Sequence, residues 1–355
     1  MINHIKKVYC GLLRKYYIVS KTLAFKKRYK KVNKSLFTTD LNKDILKTYK
    51  KKWNVYKGIS AEVQTFKLCY NLSGIVNNKI IPENIFAAII EKELNPYNEL
   101  HFFQVKNIYE KWFDYDDYNL FPKSYFHKIS GVYYDGDFKI IDNITDFINK
   151  TDIKFPVILK PSKDTFGGAG VSKIYNKNEL IEIIQRIENL VCQELIHQNV
   201  YLNKINNNSV NSIRSCLYRT SSGKFKVINN SIRMGIDGGI DNETAGGIVC
   251  NIDESGRLNH YGCDKYANKY FEHPTSNIKF EDIVIPHYQE LNDIAEKISN
   301  QVPLSNLLSL DMCLDSNNKW RCLEVNTKDH TIRFAQYAGK DFFGKYTDEV
   351  ITKTI

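Results

Sequence analysis

The chain has 355 residues, 43% hydrophobic and 13% aromatic, which is enough apolar material for two or three packed lobes. No apolar run reaches the roughly 18 residues of a membrane span. The first residues, MINHIKKVYCGLLRKYYIVSK, are broken by Lys6, Lys7, Arg14 and Lys15 and so lack the apolar core of a signal peptide. The net charge of +10 is lopsided: residues 1–52 hold 16 Lys/Arg against only Asp40 and Asp44, and the rest hold 34 basic against 38 acidic residues. No recognition motif for nucleic acid accompanies this charge. Eight cysteines (10, 69, 192, 216, 250, 263, 313, 322) show no CxxC and no His-paired zinc spacing, a pattern of reduced thiols in a cytoplasmic protein.

In chain order, residues 1–35 mix Ile5, Val8, Leu12, Leu13, Tyr16, Tyr17, Leu23 and Phe25 with Lys and Arg. This suits a basic amphipathic helix resting on an anionic membrane or glycolipid surface, or a basic arm packed on its own body. Residues 41–118 read as mainly helical, with breaks at Asn71–Gly74, Pro82 and Pro96, and Phe121-Pro122 closes that region. Short strands follow, turning at Gly131 and Asp135-Gly136. A strand is expected at 156–160, a polar glycine loop at 163–170, a strand at 171–175, a helix at about 177–189 and a strand at 190–195. Strands at 210–220 and 225–235 flank Ser222-Gly223, and another covers 247–253. A helix begins near Pro286, and a short helical tail ends the chain. The order describes an α+β protein built on antiparallel sheets.

Three groups of residues carry chemistry. Lys160 ends an apolar strand just before Lys163-Asp164-Thr165-Phe166-Gly167-Gly168-Ala169-Gly170. Three glycines in four residues let successive N–H groups turn toward one anion, and a neighbouring lysine adds a point charge for phosphate. Arg214 and Arg233 sit on neighbouring strands ahead of Asn242 and Gly246-Gly247. There they can clamp a carboxylate or a phosphoryl group in bidentate fashion.

The third group is 307–327, read as two strands around Ser316-Asn317-Asn318-Lys319. A period of two puts Leu308, Leu310, Met312 and Leu314 on one face with Leu323 and Val325, and leaves Asp311, Glu324 and Asn326 on the other. The drawn register pairs Asp311 with Glu324 and Cys313 with Cys322. Opposed carboxylates destabilise a sheet unless something neutralises them, and Mg²⁺ with its preference for oxygen ligands does so.

The ordered set resembles the ATP-grasp superfamily over roughly residues 103–335. It comprises a strand lysine, a glycine loop, a strand ending Gln193-Glu194-Leu195-Ile196, Arg214, Arg233, Asn242 with Gly246-Gly247, and Asp311…Glu324-x-Asn326. NSIRSCLYR, the Gly-Gly strand and Leu-Glu-Val-Asn look like the group associated with sugar transfer and surface polysaccharides. The resemblance implies an ATP-grasp fold, two α+β lobes gripping ATP between antiparallel sheets, with a helical N-terminal region and a basic extension. The implied divisions are a basic extension at 1–52, a mainly helical region at 53–128, a lid lobe at 129–197 and a core lobe at 198–355.

It also implies roles. Lys106, sixteen residues before Pro122, and Lys160 would bind ATP under a lid that includes Phe166, Gly167, Gly168 and Ala169. Gln193, Glu194 and Ile196 would read adenine, and Arg214 and Arg233 would meet the γ-phosphate and the acyl group. Asp311, Glu324 and Asn326 would hold a pair of Mg²⁺ ions, for which Mn²⁺ can substitute, with Asn242 close by. His197-Gln198 stands where relatives often carry an acidic ribose contact.

The implied reaction is ADP-forming carboxylate–amine ligation through an acyl phosphate. Its carboxylate would be a uronic acid or an amino-acid-bearing sugar of a capsule or O-antigen precursor, met at the inner face of the membrane. A sugar kinase of the same fold and a non-catalytic glycan-binding protein at a membrane surface are the alternatives.

Overall fold

A computed structural model describes residues 2–115, 117–163, 169–236 and 246–355, without the side chains of residues 2–10 and 14. Among the described residues no helix is long and apolar enough to cross a membrane.

The chain opens with helix α1 (Ile2–Tyr29), which contains no acidic residue and carries Lys26, Lys27 and Arg28 in its last turn. Those cations face the negative end of the helix dipole. Helix Lys43–Trp53 starts at Asn42, whose side chain accepts from the Asp44 N–H, and helix Gln64–Ser73 stops at Gly74 in the left-handed conformation (φ 72°). Pro82 precedes the next helical stretch at 83–94, so the breaks expected at Gly74 and Pro82 are present. These helices share one core with the C-terminal segment: Tyr49, Trp53, Phe66 and Phe86 pack with Tyr337, Phe342 and Phe343.

Among the described residues the strands form two antiparallel sheets. The first has the order β2-β1-β5-β3-β4, from β1 (Ser124–Ile129), β2 (Val132–Asp135), β3 (Val157–Pro161), β4 (Ser172–Ile174) and β5 (Leu190–Glu194). Helices Ile144–Lys150 and Lys177–Ile184 cover one face, and Ile148, Leu180 and Ile184 pack on Phe126, Leu159 and Cys192. The second has the order β10-β9-β8-β7-β6-β11-β12. Its strands are β6 (Ser212–Arg219), β7 (Phe225–Met234), β8 (Ile248–Ile252), β9 (Gly262–Cys263), β10 (Lys269–Tyr270), β11 (Leu307–Leu314) and β12 (Trp320–Asn326).

Alternation along these strands feeds two cores. Ile213, Leu217, Ile232 and Leu310 pack with helix Tyr288–Ser299, whereas Cys216, Tyr218 and Val249 turn to the N-terminal helices. That helix begins two residues after Pro286, because His287 adopts a left-handed φ of 52° and gives its carbonyl to the Trp320 indole at 3.0 Å.

The β11–β12 hairpin has the expected register at its functional end, with Ser309 opposite Asn326 and Asp311 opposite Glu324. Beyond that pair a bulge at Leu323 shifts the register, so Met312 faces Cys322 and Cys313 faces Arg321. Two expectations are corrected. Cys322 and Trp320 enter the apolar core in place of Leu323, which is only half-buried, and Cys313 does not face Cys322. Both cysteines are buried, as are the others whose side chains are described.

Candidate active site

The second sheet brings one row of polar residues into line across four strands: Glu324 on β12, Asp311 on β11, Arg214 on β6 and Ser231 on β7. Asp311 is 5% exposed and bonded on both oxygens. Arg214 donates from Nε to Oδ1 at 2.8 Å and from Nη2 to Oδ2 at 2.7 Å, and Arg233 donates from Nη1 to Oδ2 at 2.9 Å. Burial alone would raise the Asp311 pKa, but the two guanidiniums outweigh it and hold the carboxyl well below the usual range. Burial likewise opposes the charge on Arg214, and Asp311 restores it, so that guanidinium stays protonated.

Facing this row is the end of the first sheet. Lys106, 5% exposed, reaches Glu324 Oε1 at 3.0 Å, and its backbone N–H donates to the Ser162 carbonyl at 2.9 Å. Lys160 on β3 belongs to the same cluster. Burial lowers its pKa, Glu324 resists that and Lys106 adds to it. Two lysines around one carboxylate leave positive charge where the sheets meet, a suitable environment for a polyphosphate.

The oxygen donors fit a hard divalent cation. A carboxylate oxygen has two acceptor sites. Oδ2 of Asp311 uses both on Arg214 and Arg233, whereas Oδ1 uses one and keeps one. Glu324 and Asn326 lie two residues apart on one strand, which puts a carboxylate and an amide carbonyl on one face. Among the described residues no group of three or more His, Cys, Asp or Glu forms a self-sufficient metal cage. Two carboxylates and an amide match a Mg²⁺ site completed by phosphate oxygens and water.

The segment expected to read adenine is built differently from its side chains. Gln193 is buried and turned inward, donating to the Pro122 carbonyl at 3.2 Å and to Ser124 Oγ at 3.4 Å. Glu194 accepts from the Lys123 N–H at 3.0 Å and from Arg321 Nη2 at 2.6 Å. Both side chains therefore tie β5 to its surroundings, and a ligand would meet this segment through its backbone and Ile196, which is buried.

Of the glycine loop, Phe166, Gly167 and Gly168 lie outside the described residues, as does Asn242; Ala169 is exposed. Gly170 has φ +76°, and a Cβ there would meet Pro161 Cγ at 2.8 Å, so this residue can pass the end of β3 beside Lys160 only as glycine.

Sequence reasoning missed the residues that hold this geometry. The Tyr109 hydroxyl accepts from the Val325 N–H at 3.2 Å, fixing the backbone between Glu324 and Asn326. Asn95 donates to the Leu307 and Thr327 carbonyls at 2.6 and 2.8 Å. Arg321 joins β12 to β5 through Glu194, and reaches that side only because of the bulge at Leu323.

Two antiparallel sheets meeting around this cluster define an ATP-grasp fold. The family model described as "Sugar-transfer associated ATP-grasp" matches residues 86–348, and the chain belongs to that family. No curated protein matches the sequence significantly. Among solved structures, it is similar to N5-carboxyaminoimidazole synthase from Aspergillus clavatus in complex with ADP and 5-aminoimidazole ribonucleotide, at 9% identity and TM-score 0.39, over 68% of this chain and 50% of that one. It is similar also to the biotin carboxylase domain of 2-oxoglutarate carboxylase from Hydrogenobacter thermophilus, at 13% identity and TM-score 0.38, over 67% and 46%. A third is N5-carboxyaminoimidazole synthetase from Staphylococcus aureus, at 11% identity and TM-score 0.40, over 71% and 52%. The chain spans about half the length of these structures.

Proposed function

We propose that the protein is an ATP-dependent carboxylate–amine ligase acting on a carboxylate carried by a sugar or polysaccharide precursor. The observation that carries this reading is the charge arrangement of Arg214 and Arg233 on Asp311 beside Lys106, Glu324 and Lys160, in a chain of the sugar-transfer associated ATP-grasp family.

Mg²⁺ held by Glu324, Asn326 and Oδ1 of Asp311 would neutralise charge on the phosphates. Lys160 and Lys106 serve the α, β and γ oxygens, and the backbone of 194–196 serves adenine. The γ-phosphoryl passes to a carboxylate oxygen of the substrate, giving an acyl phosphate and ADP. Arg214 and Arg233 orient the acceptor carboxylate and spread the charge that develops on the transferring group. An amine then attacks the acyl carbon; the C–N bond forms, the C–O bond to phosphate breaks, and the proton of the amine passes to the departing phosphate. The loop at 163–170 excludes water from the acyl phosphate.

A uronic acid or an amino-acid-bearing sugar of a capsule or O-antigen precursor is the proposed carboxylate, met at the inner face of a membrane where basic residues 1–35 hold the enzyme near anionic intermediates. The test is Mg·ATP turnover over a panel of uronic acids and amino acids, with mass detection of product. Amide formed in step with ADP and free phosphate supports ligation. Phosphate retained on a sugar hydroxyl identifies a kinase instead, and nucleotide binding without turnover across the panel identifies a non-catalytic glycan binder.

A further inference from the structure

Helix α1 has two apolar faces where one would suffice to hold it. The inner face is occupied: Ile18 and Tyr29 are buried in the N-terminal core, and Tyr17 and Phe25 pack against it. The outer face is bare, with Leu12 60%, Tyr16 74%, Val19 55% and Leu23 58% exposed. Spaced 4, 3 and 4 residues apart, these four fall within an arc of about 60°, opposite the packed face. Exposed lysines border the strip, Lys15 and Lys26 on one flank and Lys27 on the other, with Lys30 just past the helix end. Scattered exposed apolar residues need no explanation, but an aligned strip edged by lysines on a helix without a single acidic residue does.

We infer that the outer face of α1 is a docking surface for an anionic lipid bilayer. An interfacial helix buries such a strip at the headgroup boundary while its basic flanks meet anionic lipids. The inner face makes the position of that bilayer matter. Lys21 reaches Asp329 at 3.5 Å, and Arg28 and Arg333 share the Glu83 carboxylate, which also accepts from the Tyr29 hydroxyl at 2.8 Å. Asp329 and Arg333 lie in the segment that directly follows Asn326. A bilayer on the outer face is thereby held one helix thickness from the stretch that leaves the candidate metal site. That this placement serves a membrane-attached substrate rests on the function proposed above; the docking itself does not.

The experiment is co-sedimentation of the full chain with phosphatidylcholine vesicles, with and without phosphatidylglycerol. The wild type should bind only the anionic vesicles, and high salt should weaken it. Replacing Leu12, Tyr16, Val19 and Leu23 by Ser should abolish binding while Mg·ATP turnover in solution is unchanged. Lys15→Gln, Lys26→Gln and Lys27→Gln together should lower partitioning about a hundredfold, at roughly fivefold per lysine. No binding by wild type, equal binding to neutral vesicles, or a quadruple variant that binds normally would each overturn the inference. So would a solution dimer that the quadruple variant converts to monomer, which would assign the strip to a second copy of the chain. A wild type that turns over substrate but binds no vesicles removes the docking alone, and a wild type that binds anionic vesicles without turning over any substrate removes the ligase reading alone.

Discussion

Asp311 and Glu324 face each other across one hairpin, yet the structure gives them different burdens, and two isosteric substitutions separate them. Asp311→Asn removes a charge that is 5% exposed and bonded by two arginines. It leaves two guanidiniums facing a neutral amide, and breaking a buried pair in this way costs about 3–5 kcal/mol. Glu324→Gln loosens one ion pair to Lys106, made by a side chain that is 27% exposed, and costs about 1 kcal/mol. For turnover the order disappears. Each change removes an anionic oxygen from the proposed Mg²⁺ site, and each should lower Mg·ATP-dependent phosphate release by on the order of 10²–10³-fold. Urea denaturation monitored by tryptophan emission gives the stability difference, and a coupled phosphate assay gives the rate. A D311N protein as stable as wild type would refute the clamp, and an E324Q protein that turns over normally would refute the metal site.

Other consequences follow from individual groups. Burial pushes the His127 imidazole down to about 4, with Asp135 opposing, so it is neutral in the folded chain at pH 7. The unfolded chain takes up that proton first as pH falls, so the contribution is complete above about 6.5 and declines toward 4 by about 3 kcal/mol. His127→Phe should flatten this part of a pH–stability profile measured by urea midpoints. The lowered pKa of Lys160 means that ATP affinity should begin to fall with rising pH before an ordinary lysine would lose its proton, and Lys160→Arg should move that fall to higher pH in a nucleotide titration. Tyr109→Phe removes the hydroxyl that fixes Val325. It should cost about 1 kcal/mol and raise the Mg²⁺ concentration needed for half-maximal turnover. Gly170→Ala places a Cβ 2.8 Å from Pro161 Cγ at φ +76°, and should raise KM for ATP while lowering stability by about 1 kcal/mol or more in urea denaturation.

The sequence made some of this legible and not the rest, for reasons visible in particular residues. Period-two patterning placed Asp311 opposite Glu324 because both strands alternate cleanly up to that pair. It could not foresee the bulge at Leu323, since no glycine or turn residue marks it, and so it put Leu323 on the apolar face and Cys313 opposite Cys322. Arg214 and Arg233 were recognisable as strand arginines aimed at an anion. That the anion in this structure is Asp311, 97 and 78 residues away, is a tertiary fact. The same holds for Tyr109 and Asn95, whose partners lie more than 200 residues further on. Gln193 and Glu194 show another limit: the resemblance named the segment, but only the structure shows that their side chains are taken by Pro122, Ser124, Lys123 and Arg321, which leaves the backbone for a ligand. In α1 the apolar residues were plain in the sequence, whereas which of them remain exposed depends on the helices that cover the other side.

A crystal structure of the full chain with Mg²⁺ and a non-hydrolysable ATP analogue tests the central claim most directly. The account predicts metal about 2.0–2.1 Å from oxygens of Glu324 and Asn326 and of the terminal phosphates, with Lys106 and Lys160 on those phosphates. A nucleotide bound away from this cluster, or metal held without either β12 side chain, would contradict it.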